Sequence, residues 1–294
     1  MSTAVIPPEL VRNIAAAEAA TAYAALLRAD VEGRAVPPAV RAALERAVRH
    51  SGLPLDLPES ARAAVIGMVE SLLRQAVDLV ASPEGGTGWE YTSPALLLEQ
   101  GRASGMIATL FAGPAGADPD LARVLALPAP RFLDVGVGVG GLAMAAARTW
   151  PRMQVVGIDR HVPALELARQ QVDEAGLSHR VALVHADIVG WGAPEPFDLV
   201  WLPGPFLDPT LVDAALRSVH EALHPGGVVV FGLYAGAGDP LSDALADLRA
   251  VRSGGGVWED DVLCERLDTA GFTRCHAVPR RWPAPIRFVL GVRP

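Results

Sequence analysis

The stretch FLDVGVGVGG, residues 132–141, constrains the fold of this 294-residue chain more than any other segment. Apolar residues and a carboxylate lead into alternating glycines, and the helical run GLAMAAARTW follows. Glycine lacks a Cβ, so a chain built this way turns sharply and lets a ligand approach its backbone. The helix that follows offers free N–H groups and a positive dipole end. Two ligand patterns overlap here. Gly136, Gly138 and Gly141 satisfy the dinucleotide fingerprint G-x-G-x-x-G, whereas Asp134, Gly136, Gly138 and Gly140 satisfy D-x-G-x-G-x-G. Both patterns want an acid at the end of the next strand to grip ribose hydroxyls, and Asp159 in VVGID serves either.

From residue 131 onward short β-branched runs (RFLDV, QVVGID, RVALVHAD, FDLVWL, GVVVFGL) alternate with helical ones. That alternation predicts a parallel sheet covered by helices on both faces. FTRCHAVPRR and PIRFVLGVRP are joined too closely for a parallel crossover, so they are expected as an antiparallel hairpin. Residues 1–128 read as helices. PPELVRNIAAAEAATAYAALLRADVEG and PPAVRAALERAVRHSG each begin at prolines and stop at a glycine. PESARAAVIGMVESLLRQAVDLVAS has the spacing of an amphipathic helix, and Ser93-Pro94 opens another. The reading is α/β: a doubly wound, mostly parallel sheet with a C-terminal hairpin over 129–294, plus an all-helical domain over 1–128. The helical domain is expected as a lid over the substrate, or as a face that pairs with a second subunit in a homodimer.

Four features separate the two ligand patterns. Asp134 places negative charge just before the turn, where a pyrophosphate would be repelled and an ammonium or sulfonium attracted. Asp187 ends the third strand in HADI, LHPGG (223–227) is a tight turn into the fifth, and the hairpin closes the sheet. With these in place, LDVGVGVG, VVGIDRHVPALELAR, VALVHADI, FDLVWLPG and LHPGGVVVF together resemble, in order and spacing, the Rossmann-like (class I) S-adenosylmethionine-dependent methyltransferases. The helix YTSPALLLEQGRASGM resembles, more briefly, the linker of bacterial small-molecule members with a helical N-terminal domain.

The resemblance implies a seven-stranded sheet and S-adenosylmethionine as cofactor, with S-adenosylhomocysteine as product and no metal. It implies that Asp134, Gly136, Gly138 and Gly140 hold the methionine moiety and that Asp159 binds the ribose. Arg160 and His161 would lie near the adenosine, Asp187 and Ile188 would meet adenine, and Leu202 would sit beside the sulfonium. Tyr91 and Gln100 are expected to face cofactor or substrate. Asp159 as a helix cap and Asp187 as a turn former are the bland readings.

The acceptor is narrowed mainly by exclusion. The net charge of −8, with 25 basic residues and no basic run, argues against a nucleic-acid partner. WLPGPFLD replaces the Asn/Asp-Pro-Pro-aromatic segment that amino-directed methyltransferases of bases and glutamine resemble. No stretch suits a membrane span and MSTAVIPPEL is no signal peptide. Cys264 and Cys275 lack metal-site spacing, so the chain is expected in the cytoplasm with free thiols, and Asp208 alone makes no metal site. What remains is a small molecule of specialised metabolism, methylated at O, N or C by in-line displacement. A cofactor-binding protein without transfer, and a nicotinamide-dependent oxidoreductase, are the alternatives. Catalysis is expected to rest on positioning, with Tyr91, Tyr234 and His161 as weak candidates for a catalytic group. His185 reads as a hydrogen-bonded core residue, His220 and His224 as cations at a helix end, His276 as an edge position, and Trp201 and Phe206 as aromatic faces for substrate or as packing.

Overall fold

A computed structural model describes residues 7–83 and 94–294. The chain divides into two compact units, 1–83 and 84–294. The first holds helices α1 (Pro8–Val31), α2 (Pro38–Ser51) and α3 (Glu59–Ala81). The Pro-to-Gly grammar holds: α1 and α2 have proline in their first turn, and Gly52 ends α2 in the left-handed region at φ 77°. Tyr23, Leu26, Leu27, Val48 and Ile66 close the core of this unit. No helix among the described residues is long and apolar enough to cross a membrane.

The second unit opens with α4 (Pro94–Ala112) and α5 (Pro119–Leu125) and continues as β1 (Arg131–Val135), α6 (Gly141–Thr149), β2 (Gln154–Asp159), α7 (Val162–Glu174), β3 (Val181–His185), β4 (Phe197–Pro203), α8 (Val212–Ala222), β5 (Leu223–Tyr234), α9 (Pro240–Arg252), α10 (Asp260–Thr269), β6 (Thr273–Ala277) and β7 (Ile286–Val292). The sheet runs β3-β2-β1-β4-β5-β7-β6. The first five strands are parallel, and β7 lies antiparallel between β5 and β6. This is the expected doubly wound seven-stranded sheet with its C-terminal hairpin. Successive residues of a strand face opposite layers. Thus Leu199 and Trp201 join one core with Phe111, Leu142 and Phe288, and Val200 and Leu202 join the other with Leu216, Phe231 and Leu263.

Three expectations change. The compact units part at 83/84 and not at 128, because α4 packs on the sheet unit: a Cβ added at Gly141 would lie 1.8 Å from the Gly101 carbonyl oxygen. That approach requires glycine on α6. LHPGG is no separate turn. It forms the start of β5, with Gly226 at φ 79° and a register shift against β4 between Phe197 and Leu199, a bulge rather than a break. His185 lies exposed on the edge strand β3, its Nε2 3.2 Å from the Arg160 carbonyl.

The hairpin is fastened to α5 by a cluster that residue spacing does not show. Asp118 caps α5, its Oδ1 accepting from the Asp120 and Leu121 N–H groups. Its Oδ2 lies 2.6 Å from His276 Nε2, and His276 Nδ1 lies 2.8 Å from the Arg274 carbonyl. Both partners only accept, so the imidazole fills both bonds only when doubly protonated. Burial opposes that charge, but the Arg274 carbonyl and Asp118 outweigh it and hold His276 above its ordinary pKa. A raised folded pKa gives stability that is complete below the unfolded value and lost as pH rises through the folded one. The side chain is 37% exposed, so screening limits the effect to under about 1 kcal/mol. Thermal melts from pH 6 to 9 are expected to show His276→Ala falling less steeply with pH than the wild type; parallel curves would rule out this linkage.

Candidate functional site

The site is built on the turn between β1 and α6. Gly136, Gly138 and Gly140 all adopt left-handed backbone, at φ 66°, 55° and 84°, which L side chains rarely tolerate. The valines between them are buried and fasten the loop. Val137 donates its N–H to the Ile158 carbonyl and packs over Gly157, where a Cβ would come within 2.5 Å of Val137 Cγ2. Val139 packs with Leu97 of α4 and Ala164 of α7, and a Cβ on Gly101 would meet it at 2.2 Å. A Cβ on Gly138 meets nothing within 4 Å. The loop is therefore locked on its core side and open at Gly138.

Two carboxylates flank that opening. Asp134 is 2% exposed, and its Oδ2 has no partner. Burial, reinforced by the neighbouring Asp159 charge, pushes Asp134 up to about 8. The Ala143 N–H donates to the carboxylate, but a buried oxygen left without a partner is costly, and a cation delivered to it would lower that cost. Asp159 accepts from the Gly138 N–H through Oδ2 and from the His161 N–H through Oδ1, each at 2.8 Å. It thus braces the loop and the entry to α7, while His161, not Asp159, holds the helix-cap position. A carboxylate has about four acceptor sites, which leaves capacity for ribose hydroxyls.

The other expected residues separate. Gln100 is half-buried on α4, next to Gly101 and hence beside the glycine loop. Arg160 is exposed; His161 is half-buried with its Nδ1 enclosed and unpartnered. Asp187 is exposed and its Oδ1 accepts from the Val189 N–H, a turn that leaves Oδ2 free. Ile188 and Leu202 are buried in the second core layer, at 4% and 0% exposure. Leu202 lies within β4, which runs to Pro203, so its side chain points away from the crevice and only its backbone lies near β1. Tyr91 lies outside the described residues, as do Trp89 and Ser93. Tyr234 ends β5 with its ring edge-on to Phe206 at 6.3 Å. Burial pushes its phenol up although Ser253 hydrogen-bonds it, so it is poorly suited as a base. Trp201 is a packing anchor, edge-on to Phe111 and Phe288, above Gly232 where a Cβ would fall 2.0 Å from it.

His220 is not the helix-end cation expected of it. Burial and the Arg293 charge lower its pKa, and Arg293 itself donates to the Glu221 carbonyl at the end of α8. Sequence reasoning missed Gly157, legible only as a glycine inside a strand, and Arg249, discussed below.

The comparisons decide between the two ligand patterns. Residues 132–227 match the family model described as a methyltransferase domain. Among curated relatives, the domain is similar to the release factor glutamine methyltransferase of Rhodopirellula baltica, 32% identical over 106 residues covering 36% of each chain. It is also similar to the trans-aconitate 2-methyltransferase of Streptomyces coelicolor, 31% identical over 158 residues covering 49% of this chain and 50% of the relative. The chain spans about a third to a half of the length of these relatives. The fold of the whole chain is that of the pyocyanin biosynthetic protein PhzM (TM-score 0.67, 20% identity, 97% of this chain and 98% of that one). It is equally that of the O-methyltransferase NcsB1 from neocarzinostatin biosynthesis, solved with S-adenosyl-L-homocysteine and 1,4-dihydroxy-2-naphthoic acid (TM-score 0.60, 20% identity, 99% of each).

Proposed function

We propose that this chain transfers the methyl group of S-adenosylmethionine to a small-molecule acceptor. The observation that carries the reading is the buried Asp134 carboxylate, whose Oδ2 has no partner, together with the open face of Gly138. It fits a ligand that carries an ammonium and a compact nucleoside, and it opposes a diphosphate. The cofactor, when bound, supplies an electrophilic methyl on a cationic sulfur. Asp134 would take the ammonium, Asp159 the ribose hydroxyls through its remaining lone pairs, and the free Oδ2 of Asp187 the adenine edge. Gln100 and Tyr91 are proposed on the cofactor or substrate side, and the Arg160–His161 segment on the adenosine side.

Methyl transfer consumes the sulfonium charge, so holding nucleophile and methyl in line at close range supplies most of the acceleration. Tyr234, whose phenol burial pushes up, is poorly suited as a base. The reading is therefore catalysis by positioning, with O, N or C as the atom methylated. The kinship of fold with PhzM and NcsB1 supports an acceptor from specialised metabolism. Nucleic acid is not proposed as a partner, on charge. Cys264 and Cys275, both free, are in keeping with the proposed reducing bacterial cytoplasm. The apolar side chains left exposed on α3, among them Leu72, Val77 and Val80, support pairing of the helical unit with a second subunit.

The test is a competition between cofactors. S-adenosylhomocysteine is expected to bind the purified chain in the micromolar range while NADH does not. Binding of NADH alone would replace the reading with an oxidoreductase. Bound S-adenosylmethionine that is never turned over across an acceptor panel would reduce it to a binding protein.

A further inference from the structure

The same carboxyl edge of the sheet carries a feature that cofactor binding leaves unused. Beyond the end of β5, a cavity of about 180 Å³ is lined by Ala235, Gly236, Leu245, Arg249, Pro283 and Pro285, among others. That is close to the roughly 150 Å³ that admits a benzene-sized ring. Its walls are mostly apolar, and Arg249 is its only cation. The guanidinium carbon lies over the Tyr234 ring, 5.8 Å from its centre, and Tyr234 in turn meets Phe206 just after β4.

Several arginines of this unit lack a carboxylate partner among the described residues; Arg249 is the one of them that lines this cavity. Arg131, Arg266, Arg274 and Arg287 each pair with a carboxylate. The acids nearest on the same helix, Asp243 and Asp247, direct their charge to Arg287. Among the described residues no carboxylate lies within ion-pair distance of Arg249. The half-buried Arg249 presents an N–H fork that matches a carboxylate in two parallel hydrogen bonds. β5 is two strands from β1, about 10 Å at the usual strand spacing. The cavity beyond β5 and the glycine turn after β1 thus lie at the same carboxyl edge of the sheet.

We propose that Arg249 and this cavity bind the carboxylate of an aromatic acid acceptor, so that Arg249 sets acceptor specificity. The inference rests on the methyl-transfer reading and names the substrate class of that site. In that reading the S–CH3 bond of the cofactor would break as a bond forms to a hydroxyl, amine or carbon elsewhere on the same ring system, leaving a neutral thioether and releasing the acceptor's proton to solvent, while the carboxylate remains as the handle.

Salicylate and salicylamide share their shape and differ in charge, so they serve as probes on the full chain saturated with S-adenosylhomocysteine. Calorimetry is expected to show salicylate bound at least tenfold more tightly than salicylamide. Arg249→Gln should erase that preference, leaving salicylamide within twofold. Leu245→Trp, which fills the cavity from a position 44% exposed and so spares the core, should weaken both. Equal affinity for the two probes, binding of neither, or a preference that survives Arg249→Gln would overturn the proposal. Titration of S-adenosylhomocysteine alone keeps the two readings apart. Its failure to bind removes the methyl-transfer reading, whereas unaltered binding in Arg249→Gln leaves the acceptor result to stand by itself.

Discussion

Asp134→Asn is expected to weaken S-adenosylhomocysteine binding roughly 10- to 100-fold at pH 8.5, the range of one charge-assisted hydrogen bond of about 1.5–3 kcal/mol. The pH dependence gives a sharper signature. The free protein holds Asp134 up to about 8, so at neutral pH most molecules carry the carboxyl protonated. A cationic ligand binds the ionised form. Wild-type affinity should therefore rise with pH, by up to about tenfold per unit, and level off near pH 8. Asp134→Asn should lose that slope. Stability runs the other way. The folded state keeps a proton that the unfolded chain has shed above the usual carboxylate range, so the ligand-free protein loses stability as pH rises from about 4 toward 8. At pH 8 the Asn variant should melt higher than the wild type while binding worse, a trade between stability and function. Calorimetry at pH 6.5, 7.5 and 8.5 with parallel melts reads both; a pH-independent wild-type Kd would contradict the role given to Asp134.

The second large effect is steric. Gly141→Ala places a methyl 1.8 Å from the Gly101 carbonyl oxygen and 2.6 Å from its carbon. Backbone cannot swing aside as a long side chain can, so either α4 or α6 must shift. Overpacking of this kind costs about 1–3 kcal/mol, and the upper end is expected here, a fall in Tm of about 6–12 °C at 2–4 °C per kcal/mol. Gly138→Ala is the contrasting case. Its methyl meets nothing, so the penalty is the left-handed backbone alone, about 1–2 kcal/mol, while the methyl projects into the crevice. The first variant should lose stability more than the second. The second should lose cofactor affinity out of proportion to its Tm. Equal melting shifts would show that α4 does not seat on α6 through these glycines.

What could be read in advance was local. The glycine turn, the acid at the end of β2, the parallel run of strands and the closing hairpin are each encoded within some thirty residues, and each stands where it was expected. What escaped depended on partners distant in sequence. His276 and Asp118 are 158 residues apart, and nothing in either segment points to the other. His185 was misplaced because burial depends on strand order, and β3 falls at the sheet edge. Leu202 and Ile188 were assigned to the ligand side by the resemblance, and the fold buries both side chains in the second core layer. The period of two along a strand turns Leu202 to the core, since a shift of one residue reverses the face. The change of composition near residue 128 is real, but the packing boundary lies at 83/84, set by a glycine contact between α4 and α6. Arg249 carried no signal because its lack of a carboxylate partner exists only in the folded chain.

The central claim is that the crevice over Gly138 receives a cationic amino-acid nucleoside. A crystal structure of the chain grown with S-adenosylhomocysteine tests it most directly. The account predicts the ligand ammonium within hydrogen-bond distance of Asp134 Oδ2 and its ribose hydroxyls on Asp159. A crevice that stays empty of S-adenosylhomocysteine at saturating concentration, or that takes the diphosphate of NADH against the glycine turn instead, would contradict it.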